Sequence, residues 1–172
     1  MYEAHQGQKP YGTMPYFIHL LVVSELVKMF GGSLDQSIAA LYHDFMEDVP
    51  NATPDDIVKD QNEHVMLFAR YVTDDPRLTR TEQLIEQVSR ASTMPREAAL
   101  IKVCDVICHF MFWRTGPKSR KYWKKKYAII DAIRVRGDGG APDSLSRAVE
   151  YFNNFIKNPE NDPLSYLIES PR

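Results

Sequence analysis

Cysteine is nearly absent: Cys104 and Cys108 are the only two among 172 residues. Two thiols four positions apart in an apolar stretch exclude a disulfide framework, and C-x-x-x-C without partner cysteines is poor zinc ligation. They read as buried free thiols and as bystanders to any chemistry. No apolar run reaches membrane-spanning length; the most apolar, residues 16–23, is far too short. The opening MYEAHQGQKPYG lacks the apolar centre of a secretory signal. A cytoplasmic, reducing compartment is therefore expected, of a cell or of something replicating inside one. An excess of charge is also missing. The formal net charge is −2 with 26% charged residues, so the global footprint of a nucleic-acid binder is absent and stable nucleic-acid binding is not expected. Internal repeats, low-complexity tracts and domain boundaries are absent as well. What is there is an ordinary globular composition, 44% hydrophobic, long enough for one domain with a substantial core. One domain over residues 1–172 is expected, with its core at about 5–136 and a C-terminal helix and tail at 144–172. Strict apolar alternation is scarce and spacings of three and four recur, which predicts an all-α bundle of about six to eight helices.

Capping chemistry marks the helix boundaries. MPYFIHLLVVSELVKMFGG reads as a helix opened by Pro15 and closed by Gly31 and Gly32. Ser33-x-x-Gln36 is a capping box for a second helix, expected to run to about Asp48. Thr53, with Pro54 at the first helical position and Asp55 and Asp56 near the positive end, opens a third, expected to reach about Val72. After the loop TDDPRLT comes a shorter helix, RTEQLIEQVSRAS. Pro95 opens REAALIKVCDVICHFMFW, apolar on nearly every side and so expected at the centre of the core, with Phe110, Phe112 and Trp113 as core aromatics. A basic helix from about Arg120 to Arg136, the loop GDGGAPDS and a last helix from about Leu145 to Lys157 complete the chain.

The segment ALYHDFMEDVP places four ionisable side chains in six positions. On a wheel of about 100° per residue, Leu34, Ile38, Leu41, Tyr42, Phe45 and Val49 form the core stripe, and His43, Asp44, Glu47 and Asp48 a separate arc. A solvated face is the ordinary fate of such a run. Against that, three carboxylates crowd a helix C-terminus, oppose its dipole and have no lysine at helical spacing, and a bound cation would relieve them. Taken locally, both readings stand. His19 sits inside YFIHLLVV, where a lone histidine is more often a satisfied core residue than a ligand. Asp105, inside LIKVCDVICHF, weighs more, because a buried carboxylate is costly unless paired or ligated. Two histidines and two aspartates on three helices make a mixed donor set suited to Mn²⁺, Fe²⁺, Zn²⁺ or Mg²⁺.

The order His19 … His43-Asp44 … Asp105 resembles the H…HD…D signature of HD-domain metal-dependent phosphohydrolases. The flanking words are more specific. AHQGQKPYGTMPYFIHLLVV, AALYHDFMEDVPNATPDDI, YVTDDPRLTR and LIKVCDVICH are similar, in order and spacing, to segments of the RelA/SpoT branch, which includes the small alarmone hydrolases. The likeness runs from about His5 to His109. It implies an all-α HD bundle, a divalent metal, normally Mn²⁺, and removal of the 3′-pyrophosphate of (p)ppGpp through a metal-activated water. By position, His19, His43, Asp44 and Asp105 would be the metal ligands, and Glu47 and Asp48 the pair that activates water and moves protons.

Departures from that pattern bear on the substrate. Many alarmone hydrolases carry an Arg-Lys pair where this chain has Pro10 and Tyr11, with Lys9 just upstream. Lys9 and Tyr11 are substrate-binding candidates, Tyr11 as a stacking surface. Arg80 aligns with a phosphate-binding Lys after VTDD and can bind bidentately, while His109 replaces the family's Asn four residues after the last metal Asp. KSRKYWKKK, residues 118–126, carries six cations in nine residues. Such a run is usually a solvated face, but with Tyr122 and Trp123 between the charges it can clamp phosphates and stack a base. Lys121, Tyr122 and Lys125 are its candidates. The expected partner is a small nucleotide, with no membrane; a homo-oligomer is compatible with the sequence. Two alternatives stay open: an HD phosphohydrolase for another nucleotide, such as a dNTP or cyclic nucleotide, and a catalytically inactive module that binds a nucleotide or a partner.

Overall fold

Helices form wherever capping residues meet three-and-four apolar spacing. A computed structural model describes residues 15–113, 120–134 and 143–157, and among these residues the chain forms nine helical segments and no strand. The fold is all-α. Helix α1, Tyr16–Met29, begins after Pro15 and ends in a left-handed turn at Gly31, whose φ is 83°. The N–H groups of Gly31 and Gly32 reach back to the carbonyls of Lys28 and Val27, both at 2.9 Å, closing the helix as the glycine pair predicted. A Cβ on Gly32 would fall 2.5 Å from Val27 Cγ1, so the close approach admits no side chain.

Helix α2, Leu34–Leu41, starts with the expected capping box: the Gln36 N–H donates to Ser33 Oγ at 3.2 Å, and the Ser33 N–H to Gln36 Oε1 at 2.6 Å. It does not continue to Asp48. The backbone tightens, with N–H groups of Tyr42 and Phe45 bonding carbonyls three residues back, and a separate turn, α3, covers Phe45–Asp48. His43 drives this break by donating from Nδ1 to the Ala40 carbonyl at 2.7 Å, a side chain standing where helical backbone pairing would be. The third expected helix is likewise two pieces, α4 (Pro54–Asp60) and α5 (Glu63–Val72). Asn62 restarts it by accepting the Val65 N–H at 2.9 Å, an N-cap signal within the expected helix.

Helix α6, Arg80–Ala91, is capped by the reciprocal pair Thr79 and Glu82. Helix α7, Arg96–Trp113, is the hub, packed by α1, α2, α5, α8 (Arg120–Arg134) and α9 (Ser144–Lys157). Every residue from Ala98 to Cys108 is buried, as an all-round apolar helix requires. Lys102 and Asp105 are thereby carried into the interior. Helix α9, Ser144–Lys157, is tied to the end of α1 by Arg147, which donates to the Phe30 carbonyl at 2.6 Å. Phe110 is core, with its ring 4.3 Å from Trp123 and 5.3 Å from Phe152; Phe112 is half-buried, and the Trp113 side chain lies outside the described residues. Helices α6 and α8 pack together over one end of α7, leaving a cleft between them and the α1–α3 layer. Among the described residues no helix is long and apolar enough to cross a membrane.

Candidate metal centre

Three buried side chains from three separate elements meet at one point. His19 from α1, His43 from the turn after α2 and Asp105 from α7 bring one ligand atom each to within 4.8 Å of one another. The two Nε2 atoms face each other at 3.2 Å. Asp105 Oδ1 lies 3.5 Å from His19 Nε2 and 3.9 Å from His43 Nε2. Asp44 supplies a fourth donor, its Oδ2 standing 3.1 Å from His43 Nε2 and 3.8 Å from His19 Nε2. His43 stands in the break after α2, and its bond to the Ala40 carbonyl anchors the ring there.

The far ring atoms are held. The Ala40 carbonyl can only accept, so His43 Nδ1 carries the proton and Nε2 faces the cluster. His19 Nδ1 lies 3.2 Å from Cys108 Sγ. Both thiols are buried and free, and burial pushes each well above its ordinary pKa. Tyr16 donates to Asp44 Oδ2. The distal Asp105 oxygen, Oδ2, faces Lys102 Nζ at 3.4 Å and Lys126 Nζ at 3.5 Å.

The electrostatics fit a cation. Burial pulls His19 down to about 3, helped by His43 and His109, so it is neutral. Burial also lowers His43, but Asp44 and Asp105 outweigh it and raise the ring to about 9. Burial opposes ionisation of Asp44, yet His43 and His19 hold it well below the usual carboxylate range. One proton thus sits among four donor atoms. Asp105 Oδ1, although buried, accepts no hydrogen bond. Donor atoms bound at about 2.1 Å around one ion lie about 3.0 Å apart when adjacent and about 4.2 Å when opposite. The separations above fall within that span. The group can bind a metal ion.

A cleft of about 430 Å³ adjoins the cluster. Its lining carries five carboxylates, Asp44, Glu47, Asp48, Asp74 and Asp105, and four cations, Arg80, Lys102, Lys125 and Lys126. Glu47 accepts the backbone N–H of Asp74, which fastens α3 to the Thr73–Asp75 segment. Arg90 buttresses that segment through the Thr73 carbonyl at 2.5 Å and Asp74 Oδ1 at 3.4 Å. Burial, then Asp44 and Asp74, raises Glu47 to about 8. Asp48 is exposed at the rim.

Arg80, His109, Tyr122 and Lys125, all named from the sequence, line this cleft. Lys9 and Tyr11, and the side chain of Lys121, lie outside the described residues. Sequence reasoning missed Lys102, Lys126, Asp74 and Tyr16. Lys102 had the same signal as Asp105, a charge alone in an apolar helix three residues away. Lys126 shares a helix face with Tyr122, four positions earlier, and its Nζ lies 5.8 Å from that ring's centre.

The model of the HD domain family matches residues 16–108. A guanosine-3′,5′-bis(diphosphate) 3′-pyrophosphohydrolase of Borreliella burgdorferi is 27% identical over 125 residues, covering 69% of this chain. The chain spans 19% of that relative's length. A solved structure of a metazoan ortholog of SpoT, which hydrolyses ppGpp and plays a role in starvation responses, superposes with a TM-score of 0.75 at 22% identity, over 90% of this chain and 89% of the other. The structure of lmo0812 from Listeria monocytogenes EGD-e gives a TM-score of 0.63 at 21% identity, over 84% of this chain and 98% of the other. Both are likenesses of fold.

Proposed function

The chain belongs to the HD domain family, and from that premise we propose that it is a metal-dependent phosphohydrolase that removes the 3′-pyrophosphate of a guanosine alarmone of the (p)ppGpp type. The observation that carries this is a juxtaposition: a buried cluster of two histidines and an aspartate opens on a cleft lined by both carboxylates and four cations. A phosphate chain needs both, cations to bind it and a metal to activate it. The names of the Borreliella relative and the metazoan structure support the substrate class.

His19, His43, Asp44 and Asp105 would hold the ion, with Mn²⁺ the expected metal. A divalent ion there polarises a phosphoryl oxygen and lowers the pKa of a water it binds. Glu47, in the cleft wall, holds or accepts a proton beside the reacting group, with Asp48 at the rim. Arg80, Lys102, Lys125 and Lys126 bind phosphate oxygens, and Tyr122 offers a ring for the base. The inactive-module alternative requires loss of a ligand or of the acid pair, and all are in place.

Metal affinity should depend on pH with a defined sign. His43 keeps its extra proton up to about 9, and an ion must displace it, whereas His19 is already neutral. The Kd for Mn²⁺ is therefore expected to fall about tenfold per pH unit between pH 6.5 and 8.5. Calorimetry in buffers of different ionisation enthalpy should count about one proton released; a flat or inverted dependence contradicts this protonation scheme.

A panel assay tests the function itself. Metal-free protein is given Mn²⁺ and incubated with ppGpp, nucleoside triphosphates and cyclic nucleotides, and products are separated by ion exchange. GDP and pyrophosphate from ppGpp are expected. Inertness toward ppGpp with turnover of another nucleotide transfers the same chemistry to a different substrate, the alternative favoured by His109 in the cleft wall.

A further inference from the structure

We propose that Arg90 is a positioning residue for Glu47, and that with Gln83 and Gln87 it makes one face of α6 the device that sets the Glu47 carboxylate in the cleft. This rests on the proton role proposed for Glu47 and extends it to a helix that supplies none of the proposed metal ligands. Gln83, Gln87 and Arg90 follow one another at spacings of four and three, so they share a face of α6. Of the 12 residues in that helix only Ala91 is buried. Its contribution to the core is therefore small, and its hold on the chain that enters it is polar.

Each of the three side chains takes one residue of the Thr73–Asp75 segment. Arg90 Nη1 donates to the Thr73 carbonyl at 2.5 Å, Gln87 Nε2 donates to Asp74 Oδ2, and Gln83 Nε2 donates to the Asp75 carbonyl at 3.0 Å. Arg90 Nη2 adds a second hold on Asp74, 3.4 Å from Oδ1, and is itself steadied by Glu86 Oε2 at 2.7 Å. The segment held this way presents the Asp74 N–H to Glu47 Oε1. Among the described residues, that N–H is the one hydrogen-bond donor to the Glu47 carboxylate. The placement of Glu47 therefore follows the placement of Asp74, and α6 fixes Asp74 through both its carboxylate and its neighbours' carbonyls.

Arginine suits this task. Its planar guanidinium presents Nη1 and Nη2 in a fixed fork, so one side chain can hold a carbonyl and the next residue's carboxylate together; an ammonium is a point charge and sets no such relation. The Arg90 and Asp74 side chains are only 17% and 16% exposed, which limits competition from water. A proton-transfer group works only within hydrogen-bond reach of the reacting group, and a displacement of about 1 Å can cost about a hundredfold in rate. Gln83 and Gln87 line the cleft, whereas Arg90 is not among its lining residues. Loss of Arg90 should therefore disturb the chemical step and leave substrate contacts alone.

The test is steady-state kinetics of Arg90→Gln, Arg90→Lys, Glu47→Gln and the Arg90→Gln/Glu47→Gln double variant, each with Mn²⁺, on ppGpp or on whichever nucleotide of the panel is turned over. Arg90→Gln is expected to lower kcat about 10–100-fold, with KM and Mn²⁺ affinity close to those of the parent. Arg90→Lys, which keeps the charge and loses the fork, should recover only part of that loss. In the Glu47→Gln background Arg90→Gln should cost nothing further, because a residue that acts through Glu47 has no effect left to exert. Parental kcat in Arg90→Gln, a rise in KM alone, or an equal fold-loss in both backgrounds overturns the inference. Retained turnover in Glu47→Gln overturns instead the proton role on which it rests. Crystals of Arg90→Gln give a readout independent of turnover: the Glu47 carboxylate should have left the Asp74 N–H, and an unmoved carboxylate overturns the inference. If Arg90→Gln does not fold, Arg90→Lys carries the same comparisons.

Discussion

Asp105→Ala is expected to lose metal and turnover together. Asp105 is the carboxylate on which the interior charges converge: Oδ1 faces three imidazoles and Oδ2 faces two ammonium groups. Removing it deletes a donor of the proposed metal centre and strips Lys102, itself buried, of an ion-pair partner. Breaking a buried pair from one side costs about 3–5 kcal/mol, so the alanine variant should also melt earlier. Asp105→Asn separates the two effects, because it keeps the shape and removes only the charge. It should fold, fail to retain Mn²⁺ through gel filtration, and lose about a thousandfold or more in kcat, the several kcal/mol a metal supplies. A folded Asp105→Asn protein that binds Mn²⁺ at parental stoichiometry sinks the assignment.

Glu47→Gln should do the opposite on one axis: keep the metal and lose the turnover. Glu47 is not in the buried cluster; it stands in the cleft wall, where it accepts the Asp74 N–H. Glutamine retains that acceptor, so α3 stays fastened and the melting temperature should hold. What it loses is titration. Burial, with Asp44 and Asp74 adding repulsion, raises the Glu47 carboxyl to about 8, where it can both hold and release a proton near neutral pH. A drop of about 10²–10⁴ in kcat with Mn²⁺ binding unchanged is the expected result, and the limb of the pH–rate profile belonging to Glu47 should vanish with it. Turnover retained in Glu47→Gln refutes the proton-transfer role.

The candidate site was legible where a charge violates its surroundings. Asp105 and His19 stand out because apolar helices seldom bury them alone, and the carboxylates near Asp48 stand out because nothing local neutralises them. Lys102 obeys the same rule and was overlooked, since a lysine in a helix is ordinarily solvated through its long stem. Arg90 and Asp74 gave no local signal. They lie in polar stretches, and only the packing of α6 beside the Thr73–Asp75 segment makes them a buttress for Glu47.

The sequence by itself determined that this is an all-α chain, where several of its helices begin and end, and that α7 lies at the centre, because capping and periodicity are short-range and act through neighbouring backbone groups. It also singled out His19, His43 and Asp105, which the fold brings together. Two boundaries escaped it. The helix through His43 breaks because a side chain bonds the Ala40 carbonyl, and the helix through Asn62 restarts at a cap that periodicity alone runs across. The tertiary structure decided the rest: which oxygen of Asp105 faces the histidines and which the lysines, that Cys108 contacts His19, and that a third imidazole stands beside the cluster. Those facts depend on side chains from α1, α7 and α8 meeting across up to 89 residues of sequence, and a one-dimensional pattern carries no distance across such a gap.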